Sequence, residues 1–167
     1  HRFILYGLSR DCKRFGHENL YEVYSDRALD AYKNGRWIVH GNLLLDVGEI
    51  EEGRQYFDSL SVRYPEYPDV LLGLGRAMAL AGQNDQVEDI IAKMQVLRPV
   101  RFDHGATYYR QCKLYIFKGE YDKAIVKLRQ AIDDGFLFTF RVVENDPDLI
   151  PLFDRPEFRK ILRPLVD

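Results

Sequence analysis

The stretch Phe117-Lys-Gly-Glu-Tyr-Asp-Lys-Ala-Ile125 decides how the chain is read. Gly119 follows about a dozen residues of helical periodicity and precedes a second such run. A glycine there suits a helix C-terminus, where the chain must take positive φ. Two other glycines share this setting: Gly48 in Asp46-Val-Gly-Glu-Ile50, and Gly82 in Ala81-Gly-Gln-Asn84. Gly48 and Gly82 lie 34 residues apart, and Gly82 and Gly119 lie 37 apart. Pro65 and Pro99 are also 34 apart, each 17 residues after its glycine, where a second helix should stop. Within the units apolar residues recur at helical spacing, as in Leu71, Leu74 and Met78. The spacing predicts an all-α chain with paired helices over 36–46 and 50–63, 69–81 and 84–97, and 105–117 and 121–133. A two-helix unit cannot bury its apolar face alone, so such units stack. The one stretch rich in β-formers, Phe136-Leu-Phe-Thr-Phe140, is short.

Repeats begun at Asn34, Pro68 and Gly105 align Trp37, Gly41, Leu44, Gly48, Phe57, Leu60 and Pro65 with Leu71, Leu74, Gly75, Met78, Gly82, Ile91, Met94 and Pro99. They further align with Tyr108, Cys112, Tyr115, Gly119, Tyr121, Ala124, Leu128 and Ala131. On these residues the chain resembles the tetratricopeptide repeat (TPR) family, whose unit is a helix–turn–helix of 34 residues. Gly53 and Val87 depart from the small Ala of that pattern, and the third unit closes on Gly135-Phe136 without a proline. The linker Val100–His104 is three residues longer than the pattern. Residues 2–33 read as a degenerate repeat, with helices Phe3–Arg14 and Glu18–Lys33, the second carrying Leu20, Val23, Tyr24 and Ala28. The expected organisation is one solenoid over 1–167: the degenerate repeat, then repeats 34–67, 68–104 and 105–136, then a closing segment over 137–167. That segment carries helix-start signals at Asp146-Pro147 and at Asp154 with Pro156. Its Asp-Pro-Asp-Leu149 and Pro156-Glu-Phe158 elements resemble the cap that ends many bacterial TPR arrays.

Composition narrows the function. Hydrophobic residues make up 46% and charged residues 30% of the 167, a globular balance. Net charge is −2, from 24 basic and 26 acidic residues, which leaves no electrostatic footprint for nucleic acid. No apolar run approaches the roughly 20 residues needed to span a bilayer, so no direct membrane insertion is expected. The chain starts at His1 rather than Met, which fits a fragment or a processed product. A cytoplasmic setting is favoured, or a periplasmic one had a leader been removed.

Cys12 and Cys112 are too few for a disulfide framework, and they read as buried thiols separated by three repeats. His1, His17, His40 and His104 show no metal-ligand spacing. Gly73-Leu-Gly75 lacks the third glycine and the strand of a dinucleotide loop. Catalytic residues, metals and cofactors are therefore not expected.

The family resemblance does point to a surface. It implies that first helices line a concave groove faced by repeat positions five and nine. Position five reads Tyr6, Ile38, Leu72 and Tyr109; position nine reads Arg10, Asn42, Arg76 and Lys113. One row is apolar and aromatic, the other polar with three cations. Together they suit a peptide or protein partner carrying acidic groups, unless the rows are solvated or filled by the cap. The family's carboxylate-clamp pattern matches at Asn42 and Arg110 but not at Ile38, Gly73 or Ala106. The resemblance thus implies a non-catalytic interaction module. Its alternative is a regulatory or sensor domain of a larger bacterial enzyme or transcription regulator.

Overall fold

A computed structural model describes residues 2–32, 38–98, 103–136, 143 and 145–162. Trp37, Pro99 and most of the 136–140 stretch lie outside the described residues. No strand occurs among the described residues. The helices fall into two compact units, His1–Ala81 and Gly82–Asp167.

The first unit holds α1 (Arg2–Arg14), α2 (Glu18–Tyr32), α3 (Ile38–Asp46), α4 (Ile50–Arg63) and α5 (Pro68–Leu80). The second holds α6 (Asn84–Leu97), α7 (Ala106–Phe117), α8 (Tyr121–Asp133), a 3-10 helix (Pro147–Leu152) and α9 (Pro156–Leu162). The ranges of α4, α6 and α8 coincide with those read from the glycine and proline spacing. The cause is local. At Gly119, φ is +75°, its amide donates to Ile116 O at 2.9 Å, and the Glu120 amide donates to Tyr115 O at 2.9 Å. That pair of bonds satisfies two orphan carbonyls at the end of α7 and turns the chain into α8. The same pair of bonds closes α3 at Gly48–Glu49, α1 at Gly16–His17 and α8 at Gly135–Phe136.

In the first unit the packing centre is Phe57, which is fully buried. Its ring fills the space left by two glycines on neighbouring helices. A Cβ at Gly41 would meet the ring at 2.6 Å, and one at Gly73 would meet it at 2.1 Å. Gly41 of the repeat alignment therefore has a physical reason, while Gly73, outside that alignment, is the tighter contact. Gly53 acts similarly, since a Cβ there would meet the Leu45 side chain at 2.5 Å. At the N-terminal hairpin, Ser9 and Ser25 share a buried hydrogen bond of 2.7 Å between α1 and α2. Ala28 packs with Leu43, flanked by Leu5, Tyr6 and Val39. Leu20 and Val23, expected among the apolar residues of α2, are each 49% exposed. The face that α2 buries carries Ser25 and Ala28 instead.

In the second unit the buried positions include Ile91 and Met94 on α6, Cys112, Leu114 and Tyr115 on α7, and Ala124, Leu128 and Ala131 on α8. Leu149, Leu152 and Phe158 of the closing segment are buried as well. Both cysteines are buried free thiols, and burial pushes the Cys112 thiol well above its ordinary pKa. Arg98 ties the end of α6 to the later helices: it lies over the Tyr108 ring and donates to Asp103 at 3.2 Å and to Asp134.

His40 is one of the titratable groups in the first unit's packing. Its Nδ1 is buried with no hydrogen-bond partner among the described residues, and its ring meets Tyr56 edge-on at 5.1 Å. Burial lowers the His40 pKa, with the Glu52 carboxylate opposing. A base whose folded pKa is depressed stabilises the fold above its unfolded pKa of about 6.5, and that contribution is lost as pH falls from there through the lower folded pKa. Wild-type chain should therefore lose more thermal stability between about pH 7.5 and 5.5 than His40→Phe does. Parallel pH-dependent melts of the two would read this, and equal slopes would show that His40 is not a titrating contributor.

Candidate functional site

The first-helix residues named from the repeat register fall into two groups. In the first unit, Tyr6 and Arg10 lie one turn apart on α1. The Arg10 guanidinium sits 5.8 Å from the Tyr6 ring centroid, and its Nη1 reaches the hydroxyl at 3.5 Å. Ile38 and Asn42 are one turn apart on α3, as are Leu72 and Arg76 on α5, and all six residues are half-buried. Arg76 Nη1 donates to Asn42 Oδ1 at 3.5 Å, and Nη2 donates to Asp46 Oδ1 at 2.5 Å. The side chains of Arg76 and Asp46 are only 12% and 8% exposed, so this pair is shielded from solvent.

Asp46 is the shared anion here. Lys13 Nζ lies 4.0 Å from the same carboxylate oxygen, and the Tyr21 hydroxyl donates to the Asp46 main-chain oxygen. Burial first, and the Asp46 charge second, raise the Tyr21 pKa, which keeps it a neutral donor. Asp46 follows Asn42 by one helical turn, so its place on this face was implicit in the spacing. It escaped the repeat register because it holds neither position five nor nine.

In the second unit, Tyr109 and Lys113 on α7 meet the chain's own closing segment. The Tyr109 hydroxyl donates to Asp146 Oδ2 at 2.8 Å, and its ring stacks on Phe136 with centroids 4.6 Å apart. Lys113 Nζ donates to Asp146 Oδ2 at 3.1 Å and pairs with Asp148 Oδ2 at 2.5 Å. The other Asp146 oxygen accepts the Asp148 amide at 3.0 Å and so starts the 3-10 helix. Tyr109 is only 8% exposed. Burial and the adjacent Asp146 charge drive its pKa far above the ordinary phenol value. Tyr109 keeps little of its surface in water because the closing segment and Phe136 cover it.

An open groove of about 640 Å³ on the first unit has Cys12, Lys13, Tyr21, Glu22, Ser25 and Val47 among its lining, and so borders the residues that reach Asp46. None of the six first-helix residues lines it. Among the described residues no group of three His, Cys, Asp or Glu is placed to hold a metal ion. No described helix is long and apolar enough to cross a membrane. The chain matches no protein-family model and no curated protein sequence.

Proposed function

We propose that this chain is a non-catalytic interaction module of the tetratricopeptide class. It binds a peptide or protein partner through the row that α1, α3 and α5 carry in the first unit. One observation carries the reading: the contact between Arg76 and Asn42, which lie 34 residues apart. These are the same position in successive repeats, and their contact supports first helices packed side by side with a common face. On that face Ile38 and Leu72 offer apolar anchors and Asn42 and Arg10 offer donors, while Arg76 is held by Asn42 and Asp46. The combination suits a peptide bearing carboxylates. Tyr109 and Lys113 hold the same positions on α7, where the chain's own carboxylates already meet them.

Arg10 and Leu72 are the cleaner probes, because loss of Arg76 would also leave the shielded Asp46 carboxylate without its closest cation. Peptides selected from a display library on the full chain would be titrated against Arg10→Ala and Leu72→Ala, with melting curves in parallel. Each variant should weaken binding by about 2 kcal/mol, roughly 30-fold, if it is a hot spot. The Arg10 effect should shrink at high salt, since a charge that still reaches solvent is screened over about 8–10 Å. Undiminished affinity in both variants, with unchanged melting, would move the binding site off this row.

A further inference from the structure

We propose that the closing segment is a self-ligand: Asp146 and Asp148 hold, in cis, a face of α7 built from Tyr109 and Lys113 that accepts carboxylate-bearing peptides. The inference rests on reading first-helix positions five and nine as contact positions. Both are occupied here by bonds within the same unit. One ammonium, Lys113, bridges two carboxylates, and the Tyr109 hydroxyl donates to the first of them. The side chains of Lys113, Asp146 and Asp148 are 12%, 11% and 14% exposed, so the charges meet largely out of water, where pairing is less screened.

The segment that delivers these carboxylates is suited to opening. Its 3-10 helix spans six residues and contains Pro151, and α9 spans seven. Helices this short have little stability of their own and depend on tertiary contacts. Leu149, Leu152 and Phe158 supply buried apolar anchors. The Lys113 bridge adds a contact that responds to charge. Release would uncover a stiff aromatic ring beside an ammonium, the pairing that binds an apolar residue next to a carboxylate. The segment's own sequence, Asn145-Asp-Pro-Asp-Leu-Ile-Pro-Leu-Phe153, then defines the ligand chemistry: two acids spaced i and i+2, followed by apolar residues.

The test uses the full chain and D146N/D148N, which removes both charges and keeps side-chain size. Hydrogen exchange is measured on residues 145–162 and on α7 and α8. The variant should lose protection over 145–162 by about tenfold while α7 and α8 hold theirs. A labelled peptide of residues 145–153 is then titrated in trans by anisotropy. It should bind the variant about tenfold more tightly than wild type, and Lys113→Met added to the variant should abolish the gain.

Unchanged exchange in the variant overturns the latch, and an opened segment that gains no peptide binding overturns the self-ligand. If the double variant does not fold, D148N serves, because it keeps the Asp146 bonds to Tyr109 and to the 3-10 helix. Its effects should be smaller and in the same direction, and no change there overturns the proposal. The exchange arm needs no partner, so a failed latch and a failed contact row on the first unit give different results.

Discussion

Gly105→Ala should destabilise the second unit by about 2–5 kcal/mol, the sum of two separate penalties. Gly105 has φ +73°, a conformation that costs an L-residue about 1–2 kcal/mol. A Cβ there would also lie 2.1 Å from the main-chain oxygen of Ala131, and 2.8 Å and 2.9 Å from its carbonyl carbon and Cα. That contact is backbone inside α8, so no side chain can rotate to relieve it, and overpacking of this kind costs about 1–3 kcal/mol. The position is held from another side as well, because the Gly105 amide donates to Asp134 Oδ2 at 3.1 Å. Gly119→Ala is the matched control, with φ +75° and nothing within 4 Å of its added Cβ. It should show the backbone penalty alone, about 1–2 kcal/mol. Urea unfolding of both variants measures the difference. Equal losses would mean that α7 and α8 do not approach closely at this point.

Phe57→Ala should cost about 3–5 kcal/mol, the range for emptying a fully buried aromatic site. Phe57 is 0% exposed, and its ring occupies the space that side chains at Gly41 and Gly73 on the flanking helices would need. The reverse change tests the same geometry. Gly73→Ala alone should cost about 1–3 kcal/mol, because its methyl would enter the space of the ring. In a Phe57→Leu background, with a smaller side chain opposite, the cost of Gly73→Ala should fall. The resulting coupling should reach about 0.5–3 kcal/mol, the range for residues in direct contact. Purely additive losses would separate Gly73 from Phe57 and refute this packing centre.

Helix ends were legible from sequence because a local rule sets them. A glycine that takes positive φ and donates to the carbonyl three residues back stops a helix whatever packs around it. Gly48 and Gly119 thus mark the turns into α4 and α8 directly. Pro147 and Pro156, read as start signals, open the 3-10 helix and α9 in the same local way. Trp37, the tryptophan of the repeat pattern, lies outside the described residues.

Burial and partner choice were not legible to the same depth, because they depend on residues far away in sequence. Leu20 and Val23 have the spacing of a buried stripe, yet the face that α2 buries carries Ser25, whose hydroxyl is satisfied by Ser9 on α1. Gly73 looked like a missing clamp residue and proved to be the space for a ring 16 positions earlier. The candidate contact residues divide along the same line. Their residue types and helical register were readable from a single repeat. That Arg76 meets Asp46, and that Lys113 meets Asp146 and Asp148, required the fold, because these carboxylates lie 30, 33 and 35 residues from their cations. Periodicity along a helix is a property of neighbours three and four residues apart. Whether a charged side chain faces water, a partner or the chain's own carboxylates depends on which helices and loops pack over it.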